Sequence, residues 1–275
     1  MIAQTRILSF PVALVRGSAF FIFLVLMLVL VPLAQAQNEL TYEQYRDLAR
    51  ASYRMDHLAV FEPLQGEEGM YFALAERFGT VQVIKVDGRG GERVWRSNQL
   101  DGIPVEVIAA DLSGDTLDDS LICRTTTGQV YIWAMEGFTL QWESLQGEYD
   151  QISCFTTANM DDDPAGEIIM LADRKIVYID GETYSKEFTG LNDYNASMIR
   201  CGDVDADGRM EIILNSGQVL DGNTADIEWE DQTFYHRIEL LDIDADGILE
   251  VLTEDVQGGP MKVFDVDYRS EVRFQ

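Results

Sequence analysis

An acidic loop set between branched apolar runs occurs four times in this 275-residue chain. The four segments are Val107–Ile122, Ser153–Leu171, Arg200–Leu214 and Glu239–Leu252. Aligned on the first polar residue of each loop, Asp111, Asn159, Asp203 and Asp242, they recur at intervals of 48, 44 and 39 residues. A repeat of that length is one blade of four short strands in a propeller. Such a unit cannot bury its apolar faces alone, so several must stack.

The rest of each unit repeats as well. A branched apolar run follows the loop (Glu211 to Leu214), then a turn (Asn215-Ser216-Gly217), a second apolar run and an Asp-Gly pair. Asp-Gly between apolar runs is a hairpin signal, because both residues tolerate the positive φ of tight turns. An aromatic residue stands eight positions after that Asp, as in Asp87 to Trp95, Asp180 to Phe188 and Asp221 to Trp229. Trp142 and Phe274 hold similar places with a shifted turn. The unit reads strand, acidic loop, strand, turn, strand, Asp-Gly turn, strand. Residues 58–98 follow this plan without an acidic loop. The expected fold is all-β, a β-propeller of about five four-stranded blades within residues 58–275, at about 58–100, 105–148, 152–192, 197–231 and 236–275.

The N-terminus is of another kind. Arg6 and Arg16 precede the apolar run Phe20–Val31, and Ala34-Gln35-Ala36 follows Pro32. This order of charged, apolar and small-residue regions is that of a signal peptide over 1–36, cleaved after Ala36. An uncleaved anchor is the alternative, since the run approaches a spanning length. Either way the domain is exported, to the periplasm, the cell surface or the medium, and no membrane span is expected in the mature chain. Residues 37–57 read as a short helical segment, where Thr41 and Gln44 form a capping box and Leu40 and Tyr45 a hydrophobic staple.

The net charge is −28, and residues 1–36 hold two Arg and no acid, so the chain beyond them carries −30. Such a surface repels nucleic acid and anionic lipid. Cys123, Cys154 and Cys201 are too few for a disulfide framework. They read as buried thiols, with a single bridge as the alternative.

The third and fourth loops are the most regular, Asp203-x-Asp205-x-Asp207-Gly208-x-x-Glu211 and Asp242-x-Asp244-x-Asp246-Gly247-x-x-Glu250. Calcium is a hard ion that takes six to eight oxygens at about 2.3–2.6 Å. Carboxylates at positions 1, 3 and 5 of a curled loop converge on one centre. The carbonyl at position 7, of Arg209 or Ile248, adds an oxygen, and the acid at position 9 closes the shell. Without a cation, four carboxylates within nine residues repel one another. The first loop, Asp111-x-Ser113-x-Asp115-x-x-x-Asp119, has Thr116 at position 6. The second, Asn159-x-Asp161-x-Asp163-Pro164-x-x-Glu167, has Pro there, which cannot take positive φ. Both are expected to turn differently from loops three and four. An EF-hand is excluded, because Leu214 and Thr253 occupy position 12 and strand-like runs follow the loops.

Residues 105–275 resemble FG-GAP/VCBS repeats, the blades of the integrin α-subunit propeller and of many bacterial secreted proteins. The resemblance implies a calcium-binding loop between the first two strands of each blade. Its ligands would be Asp203, Asp205, Asp207 and Glu211; Asp242, Asp244, Asp246 and Glu250; and, more loosely, Asp111, Ser113, Asp115 and Asp119, and Asn159, Asp161, Asp163 and Glu167. The chain departs from the pattern at Ala206 and Ala245, where the family often has Gly. The resemblance leaves the role open, because such repeats serve adhesion, polysaccharide binding and scaffolding.

No catalytic signature stands out. The two histidines, His57 and His236, occur in unrelated contexts, and no nucleophile elbow, P-loop or dinucleotide fingerprint occurs. The expected function is a non-catalytic interaction or adhesion module with structural calcium, its partner a protein or a glycan. The alternatives are a calcium-dependent polysaccharide lyase and an envelope scaffold of the quinoprotein propeller type.

Overall fold

A computed structural model describes residues 57–62, 69–87, 90–161, 163–230, 236–254 and 259–272. The signal peptide expected over 1–36, the helix expected within 37–57 and Phe274 lie outside these residues.

Among the described residues, twenty strands form five four-stranded antiparallel sheets, each a meander in chain order. The first sheet holds β1 (Leu58–Phe61), β2 (Met70–Glu76), β3 (Thr80–Asp87) and β4 (Gly90–Arg96). The second holds β5 (Pro104–Ala110), β6 (Ser120–Thr125), β7 (Val130–Ala134) and β8 (Thr139–Glu143). The third holds β9 (Ile152–Ala158), β10 (Glu167–Ala172), β11 (Lys175–Ile179) and β12 (Lys186–Thr189). The fourth holds β13 (Ile199–Gly202), β14 (Glu211–Leu214), β15 (Gln218–Asp221) and β16 (Ile227–Glu230). The fifth holds β17 (Arg237–Leu241), β18 (Glu250–Glu254), β19 (Met261–Asp265) and β20 (Ser270–Glu271). These are the five four-stranded sheets of the expected propeller.

Packing explains why the middle strands read as unbroken apolar runs. Every residue of β10 is buried. Successive side chains of a strand point to opposite faces. Ile168 and Met170 therefore pack with the second sheet, and Ile169 and Leu171 with the fourth. Four apolar clusters join consecutive sheets in this way, from Ala73 with Leu121 in the first pair to Val219 with Val251 in the last.

The fourth strand of each blade is mostly exposed, and in blades one to four one aromatic residue turns inward. Trp95, Trp142, Phe188 and Trp229 stand opposite Val83, Ile132, Tyr178 and Val219 of the third strands. A β-bulge follows in each pairing, leaving one extra residue on the outer strand: Val94, Gln141, Glu187 and Glu228. Bulges re-aim side chains, and two of these four are acids.

The three cysteines are free; Cys123 and Cys154 are buried and Cys201 is half-buried. Burial pushes the Cys154 thiol up to about 12, and raises the other two as well. Among the described residues no helix is long and apolar enough to cross a membrane.

Candidate metal centres

The four acidic loops fill the same connection, between the first and second strands of blades two to five. They share a hydrogen-bond plan. The acid at position 9 begins or precedes the second strand and accepts the backbone N–H of position 2. Glu211 Oε2 accepts from Val204 at 2.9 Å, Glu250 Oε2 from Ile243 at 2.7 Å and Asp119 Oδ1 from Leu112 at 3.2 Å. Glu167 Oε2 accepts from Met160 in the same manner. The acid at position 5 accepts from position 7: Asp207 from Arg209, Asp246 from Ile248, Asp115 from Leu117 and Asp163 from Ala165. The acid at position 1 accepts from position 6 in three loops, Asp203 from Gly208, Asp242 from Gly247 and Asp111 from Thr116. In loop two, position 6 is Pro164, which has no N–H to give.

Backbone conformation corrects one expectation. Loop one turns as loops three and four do, although Thr116 stands where they have glycine. Its φ is 74°, against 85° for Gly208 and 95° for Gly247. Position 4 is also left-handed in all three, at Gly114 (76°), Ala206 (62°) and Ala245 (63°). The hydrogen bonds to the Asp111 carboxylate hold Thr116 in a region that costs an L-residue about 1–2 kcal/mol. Gly114 is obligatory for a further reason: a Cβ there would stand 1.7 Å from the Pro164 carbonyl oxygen of loop two.

Three loops gather carboxylates closely enough to share an ion, with one oxygen from each residue within 4.8 Å of the others. The groups are Asp161, Asp163 and Glu167; Asp203, Asp205 and Glu211; and Asp242, Asp244 and Asp246. Several acidic clusters of this fold can therefore hold metal ions. Asn159 turns its amide to the Asp163 carbonyl at 2.6 Å. Asp207 stands apart from the loop-three group and pairs with the Arg209 guanidinium at 2.7 Å, while that guanidinium lies 3.8 Å from Asp221. Glu250 holds the Ile243 N–H and is outside the loop-four group. In loop one, Asp111 accepts from Gly114, Thr116 and the Ser113 hydroxyl, and Asp119 from Leu112 and Ser113. Among the described residues loop one forms no group of three.

The electrostatics follow the crowding. Burial, and after it the loop aspartates, push Glu167 and Glu211 up to about 7, against the pull of the Met160 and Val204 N–H groups. Asp203 Oδ1 and Glu167 Oε1 are buried without a hydrogen-bond partner. Buried polar groups are nearly always paired, so these two oxygens mark places where the protein alone leaves a lone pair unmet.

A fourth group joins Glu167 to Asp180 and Glu187, which the loop pattern does not contain. Asp180 follows β11, and its Oδ1 caps the next turn by accepting the Thr183 N–H at 2.6 Å and the Thr183 hydroxyl. Glu187 is the bulge residue of β12. The available signal was the recurrence of two acids seven residues apart, Asp180 with Glu187 and Asp221 with Glu228. Only the bulge, which sequence does not show, turns that spacing into proximity.

Neighbouring loops touch. The Gly166 N–H donates to the Leu112 carbonyl at 3.2 Å, tying loop two to loop one, and the Leu249 N–H donates to the Asp203 carbonyl at 3.4 Å, tying loop four to loop three. Beside loops one and two lies a cleft of about 610 Å³, lined by Leu112, Asp119, Glu136, Pro164, Glu182 and Tyr184 among others.

The chain matches no protein-family model, and no curated protein is similar to it. Solved structures share its fold. The WD40 domain of Neurospora crassa Pan2 is similar over 80% of this chain and 66% of that one, at 16% identity and a TM-score of 0.51. The V. cholerae biofilm matrix protein Bap1 is similar over 78% of this chain and 38% of that one, at 17% identity and a TM-score of 0.48. BamB from Moraxella catarrhalis is similar over 78% and 62%, at 15% identity and a TM-score of 0.48. The chain thus spans less than two thirds of each of these structures. At such identity the likeness to the Pan2 domain is one of fold.

Proposed function

We propose that this chain is an exported calcium-binding propeller of the FG-GAP/VCBS type, in which calcium is structural and the blades present a non-catalytic surface to a protein or glycan partner. The observation that carries the calcium reading is the convergence of three carboxylates in each of three loops at one recurring connection. Oxygen-only donors at that density suit calcium better than softer or smaller ions. The unmet Glu167 and Asp203 oxygens support it. Bound ions would offset part of the charge of −28 where it is most concentrated, and would stiffen loops already tied in pairs by backbone hydrogen bonds. Export rests on the charged, apolar and small-residue order of residues 1–36.

A non-catalytic surface is favoured over a lyase by the character of the cleft. Its described lining includes Asp119, Glu136 and Glu182 and no Lys, Arg or His. Cleavage of an acidic polysaccharide would need cationic groups there to receive the substrate. The aromatic residues of the outer strands pack inward, Trp95 against Phe138 and Trp133, Trp142 against Tyr184 and Trp229 against Phe264. That use suits the core rather than sugar stacking.

The test is elemental analysis of the full chain purified in calcium and passed through a metal-free column. The reading predicts at least two calcium ions per chain, lost on treatment with EDTA together with a clear fall in melting temperature. A chain that carries no stoichiometric metal, and melts alike with and without EDTA, refutes it.

A further inference from the structure

We propose that blade three holds a divalent cation outside the loop pattern, between its second, third and fourth strands, with Glu167, Asp180 and Glu187 as ligands. This deepens the calcium reading above and rests on it. Glu167 and Asp180 are cross-strand neighbours, since Ile168 of β10 pairs with Ile179 of β11. They are 1% and 3% exposed. Glu187 reaches them because the bulge between the Tyr178–Phe188 and Ile179–Lys186 pairs inserts it as an extra residue on β12. One oxygen from each of the three lies within 4.8 Å of the other two.

Glu167, shared with the loop-two group, supplies a second indication of a ligand. Its Oε2 is used by the Met160 N–H, while its Oε1 is buried with no hydrogen-bond partner. A buried carboxylate oxygen with no donor, on a side chain clustered with two further carboxylates, is costly for the protein alone. A divalent cation is the ligand that suits three such groups at once. A hard ion is expected, because every donor is a carboxylate oxygen.

Blade four is the internal control. Asp221 and Glu228 occupy the places of Asp180 and Glu187, one across from Glu211 and the other at the bulge. There the loop supplies its own cation: the Arg209 guanidinium lies 2.7 Å from Asp207 and 3.8 Å from Asp221. The matching residue of blade three is Ala165, which is buried and uncharged. Lys186, next to Glu187, is turned away and paired with Glu148 at 3.0 Å. Blade three thus has the acids of blade four without the arginine that answers them.

The experiment compares the metal-stripped full chain with its Glu187→Gln and Glu228→Gln variants, by calcium titration against a chromophoric chelator and by thermal unfolding with and without calcium. Glu187→Gln is expected to weaken one calcium site at least tenfold, while Glu228→Gln, which removes an equal charge beside loop three, weakens no site more than a few-fold. Glu187→Gln should also change sign in the melt. Without calcium it melts higher than the parent, having lost one of three repelling carboxylates, and in calcium it melts lower. A purely structural role for Glu187 would not produce that reversal. If Glu187→Gln titrates as the parent does, or if both variants weaken binding equally through long-range charge, the proposal is overturned. A parent chain that binds no calcium at all would instead remove the broader calcium reading, and this site with it.

Discussion

The Glu211 carboxylate, on the first residue of β14, accepts the Val204 backbone N–H at 2.9 Å and so closes the third acidic loop across its own mouth. The same side chain belongs to the cluster with Asp203 and Asp205. One oxygen serves the fold, and the group as a whole is placed to serve a cation. Glu211→Gln keeps an oxygen that can accept from Val204 and removes the charge. It should weaken calcium binding at loop three by about tenfold or more, because affinity at oxygen-donor sites follows ligand charge. Calcium titration checks this, and the metal-free variant should melt no lower than the parent.

Acid should stabilise the metal-free protein. Glu167 and Glu211 stand at about 7 in the folded chain against an ordinary 4.5, through burial first and loop aspartates second. A raised carboxyl favours the folded state while protonated, so that stability is fully present below about 4.5 and lost as pH rises through 7. Asp180 and Asp221 are shifted the other way by their turn hydrogen bonds, and their contribution is lost only on further acidification, below the ordinary 3.8. The melting temperature in EDTA should therefore fall between pH 5 and pH 8, and calcium should restore it at pH 8. A melt in EDTA that rises over that interval would contradict the assignment.

Thr116 is a β-branched residue at φ 74°. Thr116→Gly removes that strain, worth about 1–2 kcal/mol, and adds freedom to the unfolded chain, which costs about 0.4–1 kcal/mol. The variant should be more stable by up to about 1.6 kcal/mol, read from chemical denaturation in EDTA.

Ile169 is fully buried between the third and fourth sheets. Ile169→Ala should cost about 2–5 kcal/mol, the range for a large core side chain cut to alanine. Val60→Ala, at a site 49% exposed, should cost far less. Equal effects would mean that the sheets do not pack as described.

Arg209 acts as a built-in cation of loop three, paired with Asp207 and near Asp221. Arg209→Ala should raise the calcium affinity of that loop several-fold, most clearly at low salt, where exposed charges are least screened. An unchanged affinity would show that the guanidinium does not compete with the ion.

The blade plan was legible because it rests on local chemistry. Strand runs, Asp-Gly turns and acidic loops recur in order, and the inward aromatics Trp95, Phe188 and Trp229 stood at a fixed distance from their Asp. The likeness of loop one to loops three and four was not legible, since Thr116 is a residue type that resists the conformation it takes. Asp180 and Glu187 were missed for a different reason. Their meeting with Glu167 depends on cross-strand register and on a bulge beside the Tyr178–Phe188 pair, neither of which residue spacing encodes. The pairing of Arg209 with Asp207 likewise turns on a side-chain direction that loop spacing does not encode.

Whether calcium binds the folded chain as a structural ion is read from thermal unfolding of the metal-stripped full chain across a calcium series. A ligand that binds only the folded state adds about 2.7 kcal/mol per site at a hundred times its dissociation constant. A structural ion makes the melting temperature climb steadily with the logarithm of calcium concentration once the first site begins to fill. A melting temperature that stays constant from excess EDTA to millimolar calcium would contradict it.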